Sequence, residues 1–310
     1  MATDINIGVN QDRLKFQLLD RESRGVATIS KAKIVFAISP SRQQPSQGTL
    51  VFLHGVGSNA SRWEEFVEKT SLQNHWNIIR VDLRGHGGSE STQKATLEQH
   101  ADDCVAILDQ VGVEQAIFVG HSLGAHIAMM IAHRYPQRVR ALVLVDPLVS
   151  EALTTEAKKK QRMRSVVRVL EGMARISNAM GFRRQLPHYS LRQHDQKARE
   201  MLAKGGEALE AFIKEYSSPL IDLGHIHTAD YARDLLETSR KEPDVLQLSK
   251  PVLVIVASSG KFTQPPLMRQ WVNRLPMGAM SMVNCVHWPF TECPEEIGKV
   301  LEDWIEQSVS

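Results

Sequence analysis

The chain has 310 residues, 42% of them hydrophobic and 23% charged, with a formal net charge of +2. That balance excludes a disordered chain and speaks against a nucleic-acid footprint spread along it, so no nucleic-acid partner is expected. No apolar run approaches the roughly 20 residues a bilayer span requires, Met1 to Asp20 lacks the apolar centre of a signal peptide, and Cys104, Cys285 and Cys293 show neither disulfide nor zinc spacing. A cytoplasmic protein with no transmembrane segment is expected.

Taken in chain order, the residues before about 48 read as an antiparallel entry hairpin closed by the polar stretch Ser39 to Gly48, with Pro40 and Pro45 in a loop. Short β-branched runs follow the first strand at Lys33–Phe36: Thr49–Leu53, Ile78–Val81, Ala116–Val119, Ala141–Val145, Val252–Val256 and Ala279–Val283. The middle runs are apolar on both faces, as in parallel strands covered by helices, and Thr96–Val111 and Ala125–Tyr135 carry apolar residues at helical spacing. The expected fold class is α/β, a doubly wound and mostly parallel sheet.

From Val149 to about Lys241 the strand rhythm stops and the composition turns helical, with breaks around Gly181 to Pro187, at Gly205-Gly206 and at Pro219. This predicts a helical insertion between two strands. Between Glu151 and Glu200 twelve cations (Lys158, Lys159, Lys160, Arg162, Arg164, Arg168, Arg175, Arg183, Arg184, Arg192, Lys197 and Arg199) face five acids. A solvated helix surface accounts for such a run, and so would attraction of an anionic substrate, an acidic partner or a membrane surface.

The chemistry centres on Gly120-His121-Ser122-Leu123-Gly124, which follows the apolar run Ala116–Val119 and precedes a helix. Strand, sharp turn and helix hold the central Ser122 out into a cleft, while glycines on either side let strand and helix approach. A serine hydroxyl needs a base within reach, and His287 is the best placed of twelve histidines, in a loop after the last strand and before the amphipathic helix Pro294–Gln307. His121, beside the serine, points away in such a turn. Two backbone amides can hold a developing oxyanion, that of Leu123 and one from His54-Gly55-Val56-Gly57-Ser58.

With these segments in this order the chain resembles the α/β-hydrolase family, over about Ile34 to Ile305 outside the insertion. Leu53-His54-Gly55-Val56-Gly57 looks like the family's oxyanion loop, Val81 to Ser89 like its segment after the fourth strand, and residues 120–124 like its nucleophile elbow. The resemblance implies a serine esterase that needs no cofactor and no metal, a core of residues 1–148 and 242–310, and a lid of residues 149–241 that shapes the pocket. It makes Asp82 and Arg84 structural. Ser122 would be the nucleophile, His287 the base, and Val56, Leu123 and Gly55 the oxyanion and substrate-binding residues, acting on an uncharged or anionic carboxylic ester, thioester or related acyl bond.

One departure matters. The family's acid usually sits in the turn after the seventh strand, which here reads Ser258-Ser259-Gly260-Lys261, and no Asp or Glu occurs between Val245 and Trp288. Asp146, at the end of the sixth strand, is the leading substitute; Asp230, Asp234, Asp244, the hydroxyls of Ser258 and Ser259, and water are the others. A missing acid also leaves room for His-based lyase or cofactor-free oxygenase chemistry, or for a ligand binder with an eroded site. His225 and His227 have no ligand partners at metal spacing, Trp63 and Trp288 read as pocket walls or packing, and Cys285 as core.

Overall fold

The computed structural model describes residues 18–309, apart from 30, 31, 90, 92, 188, 205, 208, 209, 212, 213 and 215–217. The amino-terminal stretch read for a signal sequence therefore lies outside the described residues except for 18–20, as does Gly205 of the predicted break.

Eight strands form one sheet in the order β1-β2-β4-β3-β5-β6-β7-β8. The entry hairpin is β1 (Ser23–Ile29) and β2 (Ala32–Ser39), antiparallel to each other, and β2 runs antiparallel to β4. From β3 (Gly48–Leu53) and β4 (Trp76–Val81) through β5 (Ala116–His121), β6 (Val139–Val145), β7 (Val252–Ala257) and β8 (Gly278–Val283), every pairing is parallel. The fold class is the expected α/β one. Strands β5 and β7 are buried at every position, because helices cover both faces.

The covering helices are α1 (Glu64–Lys69), α2 (Leu97–Gln110) and α3 (Leu123–Arg134). Thr96 caps α2 in a reciprocal capping box with Gln99, which fixes where that helix starts. Between β6 and β7 come α4 (Thr155–Gln161), α5 (Arg164–Ala179), α6 (Leu191–Lys204), α7 (Pro219–Asp222) and α8 (Thr228–Thr238). Helices α9 (Pro265–Val272), α10 (Pro289–Glu292) and α11 (Pro294–Ser308) complete the chain.

Two apolar clusters lie on opposite faces of the sheet, one around Phe36, Phe118, Leu144 and Trp271 and the other around Phe52, Trp63, Val143 and Phe290. Trp63 is fully buried in the second, its ring 5.1 Å from Phe52 and 4.6 Å from Phe290. Of its two sequence readings the structure selects packing. Cys285 is likewise core. Among the described residues no helix is long and apolar enough to cross a membrane.

Buried ion pairs tie the segments together. Arg80 is enclosed with Glu22 and lies 3.5 Å from Glu64, whose carboxyl burial lifts to about 7. Arg84 pairs with Asp103, and Asp82 accepts the amides of Ala60 (2.7 Å) and Gly88 (2.7 Å), so both residues serve the frame as expected.

Candidate active site

The elbow forms because β5 and α3 come together more tightly than any side chain permits. A methyl group on Gly120 would lie 2.2 Å from the carbonyl oxygen of Gly124, and one on Gly124 only 2.0 Å from that of Leu53. Ser122, between them, adopts φ 52° and ψ −107°, a region costly for any residue with a Cβ. Its amide is tied to Val145 O (3.0 Å), and Leu123 presents the first N–H of α3, a group with no partner inside the helix.

Among the described residues, the non-glycine residues with positive φ are Arg21, Ser122 and Asp146. Two of the three lie at the carboxyl edge of adjacent strands. Asp146, at φ 43°, follows β6; its amide binds Ile255 O (2.7 Å) and its Oδ1 accepts from Ala257 N (3.2 Å). Its Oδ2 accepts from His287 Nδ1 at 2.5 Å, with both side chains buried. The structure thus brings Asp146 and His287 together from 141 residues apart.

The other candidate partners of His287 are elsewhere. Asp234 sits 2.9 Å from His86 Nε2, and a methyl on Gly85 would meet the Asp230 carboxyl at 2.9 Å. Ser258 Oγ lies 3.2 Å from Asn284 Oδ1, Ser259 Oγ donates to Val286 O (3.0 Å), and Asp244 Oδ1 accepts the amide of Leu246 (3.0 Å). Gly260 stands at φ 62° in the turn that holds the family's usual acid.

Three residues whose roles sequence reasoning missed hold the loops of the site, Glu292 and His121 the one that carries His287 and His54 the one at Gly55. Glu292, in α10, accepts the amides of Val286 (2.8 Å), His287 (3.1 Å) and Trp288 (2.8 Å), so one carboxylate fastens three successive residues. His121 Nε2 donates to His287 O (2.8 Å), and desolvation holds this imidazole well below its usual pKa, hence neutral. His54 accepts Leu83 N–H at Nε2 (3.1 Å), so its proton sits on Nδ1, which donates to Gly55 O (2.9 Å). That bond aims the loop Gly55-Val56-Gly57, and a methyl on Gly55 would touch Ser122 Cβ at 3.4 Å. The sequence signal for Glu292 was an acid in the first turn after Pro289; nothing local marks the roles of His54 and His121.

Ser122, His121, His287 and Val56 line one cavity of about 530 Å³. Its walls are mainly apolar, with Leu148, Leu153, Val167, Leu236, Phe262 and Trp288 among them. Trp288 is a pocket wall, unlike Trp63. Among the polar groups that interrupt the apolar wall are the buried Arg62 and the half-buried Asp222. Arg62 is paired with Asp195 (2.5 Å) of α6 and bonds Thr291. Asp222 lies over the loop Gly55-Val56-Gly57, where a methyl on Gly57 would meet its Cγ at 2.4 Å; burial raises its carboxyl to about 7, against a hydrogen bond from Tyr231. His225, read above as lacking metal partners, donates to Gly57 O (2.9 Å) and stacks on Tyr189 at 4.2 Å.

A mostly parallel sheet with a strained serine at the β5–α3 turn and a carboxylate-bound histidine after β8 defines a class. The chain belongs to the alpha/beta hydrolase fold family, whose model matches residues 48–294. Among its relatives, ethanol acetyltransferase 1 of Wickerhamomyces anomalus is 24% identical over 288 residues, covering 86% of this chain and 71% of that protein. The sn-1-specific diacylglycerol lipase ABHD11 of Mus musculus is 24% identical over 258 residues, covering 80% of this chain and 77% of the lipase. In structure the chain is similar to a thermophilic esterase from Thermogutta terrifontis, with a TM-score of 0.64 at 21% identity over 93% of this chain and 100% of the esterase. It is also similar to the enol-lactonase from Burkholderia xenovorans LB400, with a TM-score of 0.66 at 19% identity over 91% and 100% of the two chains.

Proposed function

We propose that the protein is a serine hydrolase of carboxylic esters, thioesters or related acyl bonds. The observation that carries this reading is the 2.5 Å bond between His287 Nδ1 and Asp146 Oδ2, with His287 lining the same cavity as Ser122. A carboxylate on Nδ1 keeps the neutral imidazole's proton there, which leaves Nε2 to accept the proton of the Ser122 hydroxyl. The serine oxygen then bonds to the acyl carbon, and the amides of Leu123 and Val56 hold the negative oxygen that forms. Collapse expels the alcohol or thiol, protonated by His287, and water hydrolyses the acyl-enzyme by the reverse sequence. Asp146 here is a positioning residue.

Residues 149–241 act as the lid, over a core of residues 1–148 and 242–310. The cavity volume suits a substrate of drug-like size, and its apolar walls favour an uncharged acyl chain over a compact polar one. With the carboxylate supplied from β6, the reason for considering lyase, oxygenase or pure binding chemistry weakens. The relative named ethanol acetyltransferase supports a second outcome from the same acyl-enzyme, in which a small alcohol replaces water as acceptor.

The test is hydrolysis of a series of p-nitrophenyl acyl esters from acetate to decanoate, with and without ethanol. Turnover that falls about 10⁴-fold or more in Ser122→Ala is expected. Full activity in Ser122→Ala would overturn the reading, and ethyl ester formation in the presence of ethanol would identify acyl transfer.

A further inference from the structure

Helix α5 shows solvent an apolar stripe that the fold does not use. Val166, Val169, Leu170, Met173, Ile176 and Met180 recur at spacings of three and four, on one side of the helix, and each is 52% to 64% exposed. Phe182, just past the helix end, is 72% exposed. The opposite side is anchored: Glu171 is buried and pairs with Arg175 (2.7 Å) and with Arg233 (2.7 Å) of α8. At 16 residues α5 is about 24 Å long. A row of large side chains along that whole length exceeds the scattered apolar exposure of ordinary surfaces.

Along the chain from 157 to 184 the exposed charge is of one sign, with exposed Glu156 just before it. Lys158, Lys159 and Arg162 precede it, Arg168 flanks it and Arg184 follows it, all exposed. From 157 to 184 the sole acid is Glu171, which is buried. Lys158, Lys159, Arg162 and Arg168 have no carboxylate partner among the described residues. We propose that the α5 face docks on an anionic lipid bilayer, its stripe entering the acyl boundary and its cations meeting the headgroups. No described helix is long and apolar enough to span, so α5 would lie in the interface plane.

Charge complementarity argues against a second copy as the occupant. Paired antiparallel, two stripes bring Lys158, Lys159 and Arg162 of one chain against Arg183 and Arg184 of the other; paired parallel, each cluster meets itself. No exposed carboxylate between 157 and 184 would neutralise either arrangement. An anionic bilayer satisfies both the apolar stripe and the cations. Met163, itself 57% exposed, and Arg164 and Val167, at the start of the same helix, also line the cavity, so docking would bring one wall of the cavity to the lipid. The docking claim does not rest on the acyl-hydrolase reading.

The experiment is flotation of the full chain with vesicles of phosphatidylcholine alone or with 30 mol% phosphatidylglycerol, at low and high salt, beside light-scattering mass measurement without lipid. Binding to the anionic vesicles that is lost on adding salt is expected. Met173→Glu with Ile176→Glu should abolish flotation. Lys158→Gln with Lys159→Gln, Arg162→Gln and Arg168→Gln should weaken it about tenfold or more. Both variants should keep the parent's melting temperature and its turnover of a water-soluble ester, since none of these residues lines the cavity. No flotation at low salt, or flotation unchanged in the Glu variant, would overturn the proposal. So would a dimer that the Glu substitutions dissociate, which would assign the stripe to a second copy.

Discussion

The carboxyl edge of the sheet and the helical segment above it are built on opposite physics. At the edge, Ser122, Asp146, His121 and His287 are buried, their backbones are bound at short range, and two non-glycine residues are held at positive φ by strands packed on both sides. In α5, by contrast, large apolar residues face solvent and the anchoring contacts are ion pairs such as Glu171 with Arg233. Burial gives the edge a single arrangement, as preorganised chemistry needs. Helix α5 keeps an open apolar surface. The described ties of α5 are polar, where those of the sheet edge are backbone bonds within a packed core.

Substitutions can break each side of this contrast separately. The largest effect on rate falls at the edge: Asp146→Asn should lower kcat by about 10³–10⁴-fold with little change in KM, because it removes the acceptor on His287 Nδ1 without removing volume. Steady-state kinetics on a p-nitrophenyl ester measures it. Gly124→Ala should cost more than about 3 kcal/mol in unfolding, since its methyl would lie 2.0 Å from a backbone oxygen that cannot move freely. Chemical denaturation would read that loss; a parent-like midpoint would mean the elbow relaxes.

Between the two regions, Asp195→Ala should cost about 3 kcal/mol, because it leaves Arg62 buried with its carboxylate partner gone. Limited proteolysis should then cut within residues 186–217 sooner than in the parent. The smallest effect is expected at Asp222. Burial raises its folded carboxyl to about 7 from 3.8, so the folded state holds a proton that the unfolded state releases, and the parent loses stability as pH rises between those values. Asp222→Asn has no such loss. Its melting temperature should come closest to the parent's below pH 3.8 and exceed it by roughly 2–4 °C above pH 7, as read by thermal scans.

The sequence and the structure agree wherever the signal is local. The strand runs, the elbow at 120–124 and the histidine loop after the last strand all depend on neighbours in the chain, and each lies where its pattern put it. Asp146 was legible only as one candidate among several, because its claim rests on the parallel pairing of β6 with β7, which places the end of one strand beside the end of the next. Periodicity does not encode which carboxylate crosses that gap. Glu292, His121 and His54 were missed for a related reason: each acts on backbone atoms of a loop, and a loop's hydrogen bonds leave no residue pattern. The basic run in the helical segment was visible, but its exposed apolar partner stripe was not, since an amphipathic helix reads the same whether its apolar side is covered or bare.

The most direct test of the central claim, that Asp146 serves the His287 and Ser122 pair in place of an acid after β7, is the rate of labelling by a fluorophosphonate, with the adduct located by peptide mass spectrometry. A single adduct at Ser122 is expected in the parent, formed orders of magnitude more slowly in Asp146→Asn and absent in Ser122→Ala. Labelling at Ser122 that proceeds at the parent's rate in Asp146→Asn would contradict it.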